Sequence, residues 1–322
     1  MSRPKVYVTR ETSPEALNLL KEHCDVTCWS EPSPVPRNEL LKNVIDIDAL
    51  FCLLTDKIDR ELLDKAKKLK IVASMSVGID HIAVEELKKR NIKVGYTPEI
   101  LTDATAELTV ALLLATSRRL LEANHEAKTG GWSAWSPFWM CGSGLNGSTV
   151  GLVGFGRIGQ EVAMRLKPFK VKRIIFQNRS ARDLEAREIG AERVSFDELL
   201  HQSDFIIVTV ALTPQTANMF NEDAFKKMKP TAIFINTSRG GIVDQDALIK
   251  ALQNNTIAAA GLDVMTPEPL PVDNPLFKFK NCVILPHIGS ASLQTRKEMA
   301  MLTARNIIAG LKNEKMPAEF VL

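Results

Sequence analysis

Arg239, Glu268 and His287 are the residue types that carbonyl chemistry needs, and each follows a short apolar run that reads as a buried strand. Phe234-Ile235 precedes Thr237-Ser238-Arg239-Gly240-Gly241, Gly261-Leu262-Asp263-Val264 precedes Pro267-Glu268-Pro269, and Val283–Leu285 precedes Pro286-His287-Ile288-Gly289-Ser290-Ala291. In open α/β sheets ligands collect at the carboxyl ends of the strands. A histidine, with an ordinary pKa of about 6.5, is the best proton donor at neutral pH. A carboxylate beside it favours the imidazolium and fixes the tautomer. A guanidinium can bind a substrate carboxylate bidentately and polarise a carbonyl. The set suits hydride transfer, in which the carbonyl carbon takes the hydride and the oxygen takes a proton. Singly, His287 could cap a turn, Arg239 could pair structurally and Glu268 could be a surface charge. Three such residues at successive strand ends argue against that coincidence.

A hydride needs a carrier, and the stretch Thr149–Glu161 reads as a strand, a glycine turn and the start of a helix. Gly154, Gly156 and Gly159 have the spacing for a tight turn, close approach to a pyrophosphate and close helix–strand packing. The helix N-terminus then offers free N–H groups and partial positive charge to the phosphates. After the next strand, Arg173–Phe176, an NAD-specific site would place Asp or Glu about 20 residues beyond the motif to bind the ribose 2′-hydroxyl. Asn178 stands there instead, and Arg179 and Arg182 follow. Arginines can bind a 2′-phosphate that a carboxylate would repel. The expectation is an NADP(H) preference, with NAD(H) possible. Asp183, if turned inward, would weaken it.

The elements that must position these groups alternate from the start of the chain. Strand patterns at Lys5–Thr9, Asp25–Trp29, Ala49–Leu54, Ile71–Ser74 and Lys93–Tyr96 alternate with helical patterns at Ala16–Glu22, Arg37–Val44, Asp59–Leu69 and Ala83–Arg90. That order implies a parallel sheet covered on both faces, flavodoxin-like. Ser76-Val77-Gly78-Ile79-Asp80-His81 lies at the end of the fourth of these strands. It reads equally as an anion-binding backbone turn or as a plain strand–helix turn, with His81 a helix-start residue rather than a catalyst. Leu101–Leu121 reads as one long helix carrying the chain into a second domain. Further strands at Phe205–Val210, Ala232–Asn236, Ala258–Gly261 and Val283–Leu285, with helices at Glu222–Met228 and Gln245–Gln253, make a doubly wound block from about Leu101 to Ile288. Between the long helix and the glycine motif, Trp132, Trp135 and Trp139 fall within eight residues of poor helix or strand character, three of the chain's four tryptophans. A loop this aromatic must bury itself, either as a satellite core or, the reading we prefer, as a homodimer interface.

With 322 residues, 45% of them hydrophobic, the chain can fill two cores. A net charge of +3 without a dense basic block argues against nucleic acid or an anionic membrane as principal partner. No apolar run reaches membrane-spanning length, and no signal peptide is expected. Five scattered cysteines read as reduced thiols of a cytoplasmic protein. Cys24 and Cys28 have no second Cys/His pair at zinc spacing, so no metal site is expected.

These motifs resemble the D-2-hydroxyacid dehydrogenase family over most of the chain: Ser76–Asp80, Gly154–Gly159, Asn236–Gly241, Gly261–Asp263 with Pro267-Glu268-Pro269, and Pro286–Ala291. The tryptophan loop, the Arg179/Arg182 pair and Leu53-Leu54 are similar, more narrowly, to the animal glyoxylate/hydroxypyruvate reductases. The resemblance implies NADPH-dependent reduction of small 2-oxo acids, glyoxylate to glycolate and hydroxypyruvate to D-glycerate. It makes His287 the acid/base, Glu268 its partner and Arg239 the substrate-orienting cation. It implies substrate contacts at Val77, Gly78, Ser290, Leu53 and Trp135, the last from a homodimer partner. Cofactor contacts would come from Arg157, Ile158, Ser180, Ala211, Thr237, Asp263 and Gly289 besides the glycines and arginines above. Ala211 stands where family members often carry a polar side chain. Asp263 would help hold the nicotinamide carboxamide. The resemblance also implies a Rossmann coenzyme domain, residues 101–292, inserted in a flavodoxin-like substrate domain of residues 1–100 and 293–322, the latter completed by a helix over Leu293–Lys312. Alternatives are another dehydrogenase of the family, such as a phosphoglycerate dehydrogenase, or a nucleotide-sensing, corepressor-like protein on the same fold.

Overall fold

The computed structural model describes residues 3–321. The chain divides into two compact units, one formed by the residues up to Leu101 together with those from Ser290 onward, the other by Thr102–Gly289.

In the first unit, β1 (Lys5–Val8), α1 (Pro14–His23), β2 (Asp25–Cys28), α2 (Arg37–Asn43), β3 (Ala49–Cys52), α3 (Arg60–Lys65), β4 (Ile71–Ser74), α4 (Val84–Lys89) and β5 (Lys93–Gly95) alternate. β1 to β5 pair in parallel in the order β5-β4-β3-β1-β2, the flavodoxin-like arrangement. The strands are apolar on both faces because both are covered. Tyr7, Leu50, Cys52, Val72 and Val94 face α2, α3 and α4 through Leu40, Leu62, Leu63 and Leu87. The other face is packed by the helix that follows Ser290.

In the second unit, α5 (Thr102–Ser117), α6 (Leu120–Thr129), β6 (Thr149–Val153), α7 (Arg157–Leu166), β7 (Arg173–Gln177), α8 (Asp183–Ile189), β8 (Ala191–Arg193), α9 (Phe196–Gln202), β9 (Phe205–Val208), α10 (Glu222–Lys226), β10 (Ile233–Asn236), α11 (Gln245–Gln253), β11 (Ala259–Leu262) and β12 (Cys282–Ile284) follow. The order β12-β11-β10-β9-β6-β7-β8 is parallel throughout, the Rossmann order with a seventh strand added beyond the sixth. One face packs on α5, α7 and α8 through Leu112, Leu113, Val162, Leu166 and Ile189. The other packs on α9, α10 and α11 through Leu199, Leu200, Phe225, Leu248 and Leu252. The expected fold class, two doubly wound parallel-sheet domains with a Rossmann domain inserted, is the one found.

α12 (Leu293–Leu311) and β13 (Glu319–Phe320) return the chain to the first unit. β13 pairs antiparallel with β5, so this sheet has an unexpected sixth strand and is mixed rather than parallel. Buried Asn306 of α12 holds it: its Nδ2 donates to Tyr96 O at 3.0 Å and its Oδ1 accepts the Ala318 N–H at 2.8 Å. A two-residue edge strand pinned by one side chain has no periodic pattern to betray it.

The expected single helix over Leu101–Leu121 is two helices. Arg119 has φ 55°, left-handed backbone that ends α5. Ser117 O accepts the Ser143 N–H at 2.8 Å, and Arg119 is clasped by Glu122 at 2.9 and 3.0 Å. Eight α5 residues are buried and none of α6, so the chain leaves the core at that joint.

Candidate active site

The glycine turn leaves β6 at Val153. Gly154 has φ 101°, backbone that L side chains rarely adopt, and a Cβ there would stand 2.6 Å from Val210 N. A Cβ on Gly159 would stand 2.4 Å from Gly154 O, because α7 starts close against the turn. The chain's own packing requires both glycines. Gly156 differs: its φ of −79° suits any residue, and a Cβ there would meet nothing within 4 Å. It borders open space at the N-terminus of α7, where no side chain caps the first N–H groups. This is the cradle a pyrophosphate needs, so the residues fit a dinucleotide. Arg157 is exposed and Ile158 half-buried beside it.

Asn178 ties the turn to the loop after β7. Its Oδ1 accepts the Phe155 N–H at 3.2 Å, and its Nδ2 donates to Ser180 O at 2.9 Å. No carboxylate lies between Gln177 and Arg182; Asp183 is exposed and opens α8. Arg179 is exposed, and Arg182 pairs with Glu185 at 3.1 Å in solvent, a screened surface contact that is easily exchanged. Arg193, not singled out by the sequence reading, donates to Asn178 O at 3.1 Å from the edge strand β8.

The other groups stand on the loops after β10, β11 and β12, neighbours in the sheet, with β10 separated from β6 only by β9. Buried Asn236 shapes the first loop: its Nδ2 donates to Arg239 O at 3.0 Å and its Oδ1 accepts the Ser238 N–H at 3.0 Å. Thr237 is buried, its hydroxyl 2.8 Å from that of Thr109 on α5. Ala211, exposed after β9, has its carbonyl held by Thr216 at 2.7 Å.

Asp263 is fully buried and accepts the Ile288 N–H at 2.7 Å and the Gly289 N–H at 2.8 Å. It therefore fixes the backbone just beyond His287. Burial pushes its carboxyl above the ordinary range against the pull of those N–H groups. His287 itself has φ 55°. Its Nδ1 lies 2.7 Å from Glu268 Oε2, with side chains 23% and 29% exposed. The other oxygen, Glu268 Oε1, accepts the Met265 N–H at 2.9 Å. Burial pushes the Glu268 carboxyl up, but the His287 contact, the Met265 N–H and the charges of His287 and Arg239 outweigh it and leave it below the usual range.

Leu53, Val77 and Gly78 belong to the first unit, at the carboxyl ends of β3 and β4, and Ser290 opens its C-terminal segment. Trp135 lies between α6 and β6, 82% exposed. Thr109 and the Met265 N–H escaped the sequence reading, and Asn236 entered it only as the first residue of the Asn236–Gly241 motif, with no role of its own. Asn236 and Met265 act through backbone hydrogen bonds and Thr109 through its hydroxyl on Thr237, contacts that no spacing announces. Among the described residues no cluster of His, Cys, Asp or Glu could hold a metal ion, and no helix is long and apolar enough to cross a membrane.

A Rossmann sheet with a dinucleotide cradle and a histidine–carboxylate pair on one edge defines a class, the nicotinamide-dinucleotide-dependent oxidoreductases of α/β fold. Comparison with known proteins narrows it. Residues 110–289 match the family described as D-isomer specific 2-hydroxyacid dehydrogenase, NAD binding domain. The human glyoxylate reductase/hydroxypyruvate reductase is 54% identical over 321 residues, covering 99% of this chain and 98% of that one. A glyoxylate reductase of Thermofilum pendens is 49% identical over 320 residues, covering 99% of this chain and 94% of that one. Among solved structures, a Thermus thermophilus protein superposes with a TM-score of 0.92 at 42% identity, covering 98% of this chain and 100% of that one. An NADPH-dependent glyoxylate/hydroxypyruvate reductase of Sinorhizobium meliloti, solved with NADP and malonate, gives 0.86 at 33% identity, covering 99% and 97%. The chain belongs to the D-isomer specific 2-hydroxyacid dehydrogenases and is an NAD(P)-dependent oxidoreductase.

Proposed function

We propose that this enzyme reduces glyoxylate to glycolate and hydroxypyruvate to D-glycerate, with NADPH in preference to NADH. The observation that carries the reading is the His287–Glu268 contact of 2.7 Å on the sheet edge that also holds the glycine cradle. The relatives named above bear those substrates in their names.

When bound, the nicotinamide supplies a hydride to the carbonyl carbon. His287, with Nδ1–H donated to Glu268, presents Nε2–H to the carbonyl oxygen and gives up that proton as the oxygen becomes a hydroxyl. Glu268 keeps the proton on Nδ1 and so holds the ring in the tautomer that acts through Nε2. Arg239 orients the substrate carboxylate and polarises the carbonyl, and the backbone at Val77-Gly78 binds the same carboxylate. Leu53, Ser290 and a partner's copy of Trp135 border the substrate in this reading. The first unit is then the substrate domain and the second the coenzyme domain. Asp263 keeps a second lone pair on each oxygen for the carboxamide while holding the loop beyond His287.

Arg179, Arg182 and Ser180 would meet the 2′-phosphate, because the loop after β7 offers two guanidiniums and no carboxylate before Asp183. A cytoplasmic location agrees with five unpaired thiols, and a homodimer with the exposed tryptophan loop.

Cofactor oxidation with each oxo acid, using NADPH and NADH in turn, tests the proposal. A higher kcat/KM with NADPH is expected. The double variant Arg179→Ala/Arg182→Ala should lose roughly tenfold or more with NADPH alone, since a charge-assisted hydrogen bond is worth about 1.5–3 kcal/mol. A wild type that prefers NADH would refute the cofactor assignment, and one inert towards both acids would refute the substrate assignment.

A further inference from the structure

Ser74 and Ser76, at the end of β4, are 0% and 4% exposed. Ser74 Oγ lies 2.7 Å from Ser76 Oγ and 3.0 Å from His81 Nε2, while Ser76 Oγ donates to Gly78 O at 2.6 Å. The direction of this chain follows from counting protons. A hydroxyl has one to give, and Ser76 spends its own on a carbonyl that can only accept. The proton between the serines is therefore that of Ser74. Ser74 has none left for the imidazole or for the Cys52 thiol that also meets its hydroxyl, and the thiol has a proton of its own, so His81 Nε2 carries the proton and donates. Reversing the last link would leave two hydroxyl oxygens 2.7 Å apart with no hydrogen between them. Donation thus runs one way, from His81 through Ser74 and Ser76 to Gly78.

The backbone around the chain is tied at both ends. Met75 N–H donates to Cys52 O at 3.0 Å, Thr97 N–H to Ser76 O at 2.9 Å and Ile58 N–H to His81 O at 2.9 Å. What remains between is the arch of Val77 and Gly78, with Val77 36% exposed. Ser76 Oγ reaches across the arch to Gly78 O, and because a peptide unit is planar this fixes the Gly78–Ile79 plane and removes one torsion at the end of the arch, which narrows the arrangements open to Val77 and Gly78.

We infer that His81 is a positioning residue. Acting through Ser74 and Ser76, it holds the Val77–Gly78 arch in the one backbone arrangement that receives the substrate carboxylate. The inference rests on the 2-oxo acid reading above. It assigns His81 no contact with substrate and no proton transfer to it.

The test uses the whole enzyme and three variants: Ser76→Ala, His81→Leu and His81→Gln, whose amide nitrogen keeps a donor for Ser74. The dissociation constant of oxalate in the presence of NADP⁺, KM for glyoxylate, KM for NADPH, kcat and Tm are measured for each. Losing one orienting hydrogen bond corresponds to a change of roughly fivefold to tenfold. Ser76→Ala and His81→Leu should weaken oxalate binding and raise the glyoxylate KM by about that factor, with the NADPH KM within about twofold of wild type. His81→Gln should restore both. Unchanged oxalate affinity in Ser76→Ala and His81→Leu would overturn the inference. So would a His81→Gln variant as defective as His81→Leu, or losses shared equally by the NADPH KM and Tm. A wild type that neither reduces glyoxylate nor binds oxalate would instead sink the reading beneath it, a distinguishable failure.

Discussion

Glu268 divides its carboxylate between two tasks, one oxygen on His287 and the other on the Met265 N–H of its own loop. Losing it therefore reaches both the proposed acid and the loop. His287→Ala removes only the proton donor and should cost roughly 10²–10⁴ in kcat, with cofactor affinity retained; stopped-flow and equilibrium titration of NADPH would check both. Glu268 also makes a prediction about acid stability. Its carboxyl sits below the usual range, so the folded state favours its ionised form. The sign follows: the contribution is complete above the ordinary carboxylate pKa and is lost as pH falls through the lowered folded value. Denaturant unfolding should show Glu268→Gln less stable than wild type at about pH 7, with the gap narrowing at about pH 3. A gap of constant size would mean the charge of Glu268 contributes nothing. What the sequence offered at this scale was residue types at strand ends and, through the resemblance, Glu268 as the partner of His287. That Glu268 and His287 meet across nineteen positions, and that Asp263 grips the Ile288 and Gly289 N–H groups, are facts of packing.

Among the elements, the β6–α7 unit separates a glycine the fold needs from one it does not. Gly154→Ala forces a left-handed alanine and a Cβ 2.6 Å from Val210 N, so it should lower Tm markedly by calorimetry. Gly156→Ala meets nothing within 4 Å and should keep the wild-type Tm, yet it should weaken NADPH binding roughly tenfold or more by filling the cradle. Equal cofactor affinity in Gly156→Ala would remove the pyrophosphate from that spot. The same unit shows why much of the fold was legible. β6, β9 and β10 are continuous apolar runs because their sheet is covered on both faces, and buried strands advertise themselves that way. β8 stayed hidden because an edge strand of Ala-Glu-Arg has no apolar pattern, its charges guarding a free edge. The joint at Arg119 stayed hidden because helix propensity continues through Arg118-Arg119-Leu120. The Ser143 N–H on Ser117 O, the clasp of Glu122 and the reach of Arg119 to Cys141 O, none of them local propensities, hold the turn there.

For the molecule as a whole, the segment between α6 and β6 is the feature that a lone chain leaves unexplained. Trp132, Trp135, Phe138 and Trp139 are 62%, 82%, 87% and 40% exposed, and Leu120 and Leu121 at the start of α6 are about half exposed. The sequence left two destinations open, a satellite core or another subunit, and these exposures speak against the first. Large aromatics held in water forgo about 25 cal/mol for each Å² of apolar surface, a cost a second copy can relieve. The proposed homodimer therefore places this loop in the interface, where aromatic anchors carry most of the binding energy. Trp135→Ser/Phe138→Ser should shift the protein to a monomer in sedimentation equilibrium while its circular dichroism stays near wild type and its Tm falls to that of the dissociated wild-type chain at high dilution. If a partner's Trp135 also borders the substrate, kcat/KM for hydroxypyruvate should fall with dilution as the subunits part, and NADPH affinity should fall far less. A variant that remains dimeric would move the interface elsewhere. A wild-type monomer that keeps full turnover would show that each chain holds a complete site.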